Sequence, residues 1–255
     1  MSDNVSQMNE KNGKRPVKRI VWFSLLVLAI CGGVAAYVFR DSLNLDAARR
    51  FIRYLNVSGA EKEGQFVFDS GNANQYADFN GGLAVASATG LSAYEADGNE
   101  FVLVQEKMST PAIRQAGKYV LAYDVGGYAL HAVSAAKGSV LDVATTRPVL
   151  DADLAEDGSI CYSTSESGYK SVICVYNANQ TLIYRRLSSS QYLPLCAVSK
   201  GAEYLAAAAL GQNEGSYEST IQIFRTDTED AVQSISFGNE LIYDLFFADD
   251  QSILA

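Results

Sequence analysis

Side chains able to do chemistry are few in this 255-residue chain, and they are unevenly placed. It has one His, one Trp and four Cys. His131 sits in Tyr128-Ala129-Leu130-His131-Ala132-Val133, where strand alternation sends it to the face opposite Tyr128, Leu130 and Ala132. An imidazole so placed, with no nucleophile at motif spacing, reads as a strand histidine satisfied by a neighbour rather than as the base of a triad. The sequence has no G-x-S-x-G, no phosphate-binding P-loop, no H-E-x-x-H and no G-x-G-x-x-G. These absences leave no catalytic residue to nominate.

Two other constellations are candidates. Asp151-Ala152-Asp153 with Glu156-Asp157-Gly158 invites a calcium reading, but Ala155 falls where an oxygen ligand is needed and the glycine comes two places late. A solvated turn between strands is the competing reading, and no metal is expected. Cys161 and Cys174 flank a turn centred on Glu166 to Tyr169. A hairpin pairing Glu166 with Tyr169 would set the two Cys directly opposite each other, within disulfide range. Two readings are open there, a cross-strand disulfide and a pair of small buried hydrophobes. Cys196 reads as a free buried thiol, and Cys31 falls in an apolar segment near the N-terminus.

The elements that carry these residues come from a repeat. From Gly64 onward, short runs of Val, Ile, Tyr and Phe alternate with Gly, Asn, Asp and Ser clusters, the pattern of short strands and tight turns. One four-strand phrase recurs over Gln75–Met108, Pro111–Arg147, Pro148–Ser190 and Gln191–Asn239, and a fifth copy begins at Leu241. The residue opening the second strand is Leu83, Tyr119, Ile160, Tyr204 and then Ile253. Those intervals of 36, 41, 44 and 49 residues fit the ~40–50 of four-stranded β-propeller blades. The fold predicted is therefore all-β, a propeller over 64–255 with about four blades and part of a fifth. A β-sandwich is the competing fold, but it would not need the same phrase four times. Phe66 to Gly71 reads as an orphan strand of the kind that seals a propeller ring. With the fifth copy stopping in mid-blade, the expectation is a chain short of roughly two to four blades. A natural half-ring pairing with a second copy is the alternative.

Ahead of the repeat, residues 20–39 run 20 positions without a charge, close to the ~20 that cross a bilayer as a helix. Trp22 and Tyr37 lie near its ends, and Lys11, Lys14, Arg15, Lys18 and Arg19 precede it. Aromatic ends and a basic leader predict a single uncleaved span with residues 1–19 as a cytoplasmic tail. Residues 40–63 follow as a juxtamembrane stalk, where Ala48, Phe51, Ile52 and Leu55 form a helical stripe clear of Arg49, Arg50 and Arg53. That helix could lie on anionic headgroups or pack on the domain beneath it. Charge divides along the same lines. Residues 1–56 carry nine basic and four acidic groups, a net +5, and the remainder 11 and 25, a net −14. So acidic a domain repels phosphate backbones, and no nucleic-acid partner is expected.

The basic leader and span, the helix near Asn44 to Leu55, and three later phrases carry a family resemblance. The phrases are Pro111 through Gly117-Lys118-Tyr119 to Tyr123-Asp124-Val125-Gly126-Gly127, then Asp153-Leu154 with Asp157-Gly158 and Ser167 to Val172, then Gln191-Tyr192. On these the chain resembles an uncharacterised, domain-of-unknown-function family of bacterial single-span membrane proteins with an extracytoplasmic WD40-like or quinoprotein-like β-propeller. The resemblance covers nearly the whole chain, and it implies fold and topology but no activity. Quinoprotein blades rely on recurring Trp, and none follows Trp22, so no cofactor is expected.

The function that follows is a non-catalytic binding or scaffolding module, anchored in the cell membrane and presenting loops to protein, peptide or cell-envelope ligands. The alternative is an enzyme whose catalytic residues lie in further C-terminal blades, and a third reading is a membrane-linked sensor. Protease added outside intact cells is predicted to remove the domain and spare the N-terminal tail, read with antibodies to each end. Protection of the domain would contradict this topology.

Overall fold

A computed structural model of the protein describes residues 73–255 apart from 143–144, 214 and 250–251. The residues expected to form the tail, the 20–39 span, the stalk helix and the orphan strand at Phe66 to Gly71, and Cys31 with them, lie outside the described residues. Among the described residues no helix is long and apolar enough to cross a membrane.

Runs of β-branched and aromatic residues, each ended by a Gly- or Asx-bearing turn, fold as four successive four-stranded antiparallel meanders. The first comprises β1 (Gln75–Phe79), β2 (Gly82–Ser87), β3 (Gly90–Tyr94) and β4 (Glu100–Gln105). The second comprises β5 (Pro111–Ala116), β6 (Tyr119–Asp124), β7 (Leu130–Ser134) and β8 (Gly138–Asp142). The third comprises β9 (Val149–Leu154), β10 (Ile160–Glu166), β11 (Tyr169–Tyr176) and β12 (Leu182–Ser188). The fourth comprises β13 (Tyr192–Val198), β14 (Tyr204–Asn213), β15 (Ser216–Arg225) and β16 (Ala231–Gly238). A two-stranded unit, β17 (Phe246–Phe247) and β18 (Ile253–Leu254), follows. Second strands begin at Gly82, Tyr119, Ile160, Tyr204 and Ile253, within one residue of the predicted repeat.

The meanders stack as blades of a β-propeller arrangement. First strands neighbour one another in the order β1, β5, β9, β13, β17, and apolar clusters fill each junction. Middle strands are buried on both faces, which only stacking can produce. Along β6, Val120 and Ala122 enter the cluster against blade 1, whereas Tyr119, Leu121 and Tyr123 enter the cluster against blade 3. Along β10, Ile160 and Tyr162 face blade 2, whereas Cys161 faces Leu193, Leu205 and Phe224 of blade 4. The turn before β10 shows how closely blades approach. Gly158 holds φ +92°, and a Cβ there would meet the Tyr119 ring at 2.8 Å.

The cysteine hairpin needs a correction. Glu166 does pair with Tyr169, but β11 carries one extra residue before Val172, a β-bulge. Beyond the bulge every partner moves by one, so Cys161 faces Val175 and Cys174 faces Tyr162. A one-residue slip inverts the face, and the two thiols point into different junctions, Cys174 toward blade 2 and Cys161 toward blade 4. Both are free and buried, and the cross-strand disulfide has no geometry to form in.

Leu121 is fully buried, and Val232 on the outer strand β16 is 53% exposed. Leu121→Ala is expected to cost about 2–5 kcal/mol, and Val232→Ala to stay within about 0.5 kcal/mol, by chemical denaturation. Equal effects would contradict the two-sided packing.

Candidate binding cleft

An inner strand has a sheet partner on one edge only, so its free edge must find other acceptors and donors. At β13 these come from side chains of blade 3. Asp151 and Asp153 alternate along β9 and accept from the N–H of Cys196 (2.9 Å) and of Val198 (3.0 Å). Ser171, turned inward next to the bulge, accepts from the Leu193 N–H at 2.9 Å, and the Ser163 hydroxyl donates to the Leu193 carbonyl. Asp157 accepts from the Gly201 N–H at 2.9 Å and from its own turn at the Ser159 N–H. Pro194, which has no N–H to satisfy, occupies the irregularity between Tyr192 and Leu195.

The acidic cluster singled out in the sequence is thus brought to one blade junction, where three of its carboxylates hold backbone amides. Among the described residues no group of three or more His, Cys, Asp or Glu could hold a metal ion. His131 is buried, 2.5 Å from Glu106 of the loop after β4 through Nε2, so it links blades 2 and 1.

Asp151 also belongs to a network that local sequence patterns do not reveal. The Tyr123 hydroxyl donates to its Oδ1 at 2.8 Å, and Arg114 Nη2 lies 3.8 Å from the same oxygen. Arg114 then reaches Asp244, just before β17, through Nη2 to Oδ1 at 2.6 Å and Nη1 to Oδ2 at 3.4 Å. Blade 2, blade 3 and the fifth unit are therefore tied at the axis. Burial tends to raise the Asp244 pKa, but the hydrogen bond and charge of Arg114 outweigh it and hold it below the usual carboxylate range. Burial pushes Asp151 upward despite the Cys196 and Tyr123 hydrogen bonds, and it pushes Asp153 up to about 7 against the bond from Val198. The Tyr123 phenol is raised, first by burial and then by the Asp151 charge.

Above this polar floor, all five first strands border an axial cleft of about 590 Å³. Tyr76 comes from β1, Arg114 from β5, Asp153 and Glu156 from β9 and the turn after it, Lys200 from the turn after β13, and Phe246 from β17. Tyr76 and Phe246 are about half exposed, and Lys200 approaches Glu156 to 3.8 Å with both side chains in solvent. Aromatic faces beside exposed charges of both signs suit a polar chain ligand, whose flat or apolar parts stack while its polar groups hydrogen-bond.

Residues 53–255 match the model of a family described only as being of unknown function, DUF5711. The chain belongs to the DUF5711 family. No curated protein matches this DUF5711 chain. Among solved structures it is similar to Kluyveromyces lactis Hsv2p, at 14% identity over 73% of this chain and 64% of that one, TM-score 0.49. It is also similar to the β-propeller domain of Myceliophteria thermophila Cps50 (Swd1), at 12% over 72% and 61%, TM-score 0.49. A third is Kuenenia stuttgartiensis hydrazine synthase, at 12% over 69% and 52%, TM-score 0.46. The DUF5711 chain spans between 52% and 64% of the length of these three. Its own sheets, their register and their stacking carry the blade assignment.

A carboxyl raised to about 7 binds its proton in the folded chain between roughly pH 4 and pH 7, where the unfolded chain has released it. Asp153 therefore makes stability fall as pH rises through that window. Asp153→Asn keeps an acceptor for Val198 and removes the titration, so its unfolding free energy should fall less than that of the unsubstituted chain between pH 5 and pH 8. Parallel pH profiles would contradict the buried carboxyl.

Proposed function

We propose that this protein is a membrane-anchored, extracytoplasmic β-propeller that binds a protein, peptide or cell-envelope ligand in the axial cleft and carries out no chemistry on it. The cleft carries the reading, because side chains from every blade and the fifth unit line it together. Its walls are preformed, since the inner strands are held by the Asp151, Asp153 and Arg114 contacts beneath. A rigid cleft spends little of its binding energy on ordering itself. The apolar, charge-free run at 20–39 after a basic leader supports the anchor, and with it a domain outside the cytoplasm.

The test is titration calorimetry of the full-length chain in detergent with two probe sets, extended synthetic peptides and soluble cell-wall fragments. Binding by at least one set is expected, weakened at least tenfold by Tyr76→Ala or Phe246→Ala and unchanged by Val232→Ala on the outer strand. Binding that ignores the cleft substitutions, or turnover of a probe, would contradict the proposal.

A further inference from the structure

Blades 3 and 4 meet across two thiols from different strands. Cys161 lies on β10 opposite Asp153 of β9, and Cys196 lies on β13 with its N–H on Asp151. Both are fully buried in one apolar cluster with Ile173, Leu193 and Phe224. The Cys196 thiol is 3.8 Å from the Asp151 carbonyl, and the Cys161 and Cys196 side chains are near enough within that cluster to perturb each other's titration. Cys174, the partner suggested by the sequence, is on the opposite face of the sheet in the junction with blade 2.

We infer that Cys161 and Cys196 are a modification site, a dithiol that closes to an inter-blade disulfide when the chain meets a disulfide-type oxidant. The two strands come from different blades, so the bond would staple the junction that the Asp151 and Asp153 contacts already align. Two S–H bonds break and one S–S bond forms. The two electrons reduce the incoming disulfide, such as oxidised glutathione, to two thiols, which also take up the two protons. Attack passes through a mixed disulfide on one cysteine, which the other cysteine then displaces. Burial, and the charges of Asp151 and Asp153 nearby, hold both thiols above the ordinary thiol range. Few thiolates then form in the closed structure, and the bond is made while the blades are still docking or have locally parted. An extracytoplasmic domain would meet such oxidants during its folding.

The experiment uses the full-length chain, purified reduced in detergent, unfolded, and refolded in a buffer of reduced and oxidised glutathione. It is then denatured and treated with N-ethylmaleimide. The proposal expects label on Cys31 and Cys174 only, a Cys161–Cys196 linked peptide in a non-reducing digest, and loss of two hydrogen masses. Cys174→Ala should leave that linkage intact, and Cys196→Ala should abolish it. Melting of the oxidised chain should lie roughly 5–15 °C above that of the reduced chain. Labelling of all four cysteines, glutathione retained on Cys161 or Cys196, or a linkage through Cys174 would each overturn the proposal, and none of these results depends on a variant folding.

Discussion

The free edge of β13 is the constraint on which the rest of this structure depends. Each blade is a meander whose first strand lines the axis with one edge unpaired, and an unpaired edge near the axis costs stability unless something satisfies it. Here the next blade back does so with side chains. Ser171, Ser163, Asp151, Asp153 and Asp157 of blade 3 reach Leu193, Cys196, Val198 and Gly201, so the junction is fixed in register as well as in distance. Apolar packing alone would let blades slide, because Leu, Val and Ala faces are not directional. A row of side-chain to backbone hydrogen bonds allows one alignment.

That alignment explains the electrostatics of the axis. A carboxylate placed to accept a buried N–H must itself be buried, and its pKa rises as a result. Asp151 is compensated by Tyr123 and by Arg114, whose fork is shared with Asp244, so the polar chain passes from blade 3 through blade 2 to the fifth unit. Asp153 has less help and keeps its proton more readily. The cleft inherits its shape from this floor. Its exposed groups include Tyr76 and Phe246 with Lys200 and Glu156. The same alignment brings Cys161 and Cys196 together, since both strands are positioned by the Asp151 and Asp153 contacts.

Much of the blade pattern was legible in the sequence, because each blade repeats one order of strand and turn, and turns such as Asp97-Gly98-Asn99 announce themselves by residue type. The opposed faces of His131 and Leu130 followed from alternation alone. The cysteine hairpin failed at one residue. Next to the bulge in β11, Ser171 accepts from the Leu193 N–H, a tertiary contact 22 positions away that no local pattern shows. Arg114 with Asp244, 130 positions apart, was hidden for the same reason. The acidic pair on β9 was visible, but its reading as a calcium turn or a solvated turn missed that an inner strand needs acceptors for its neighbour's amides. The reading of residues 20–39 as a span rests on hydropathy alone and lies outside the described residues.

Hydrogen exchange of the β13 amides tests the central claim most directly. If blade 3 holds the free edge, the Cys196 and Val198 amides open only together with the β13–β14 ladder, and they exchange as slowly as the amides of Leu205 and Ala206. Exchange at the rate of the exposed outer strand β16 would mean that the carboxylates do not hold that edge, and the account of the junction would fail.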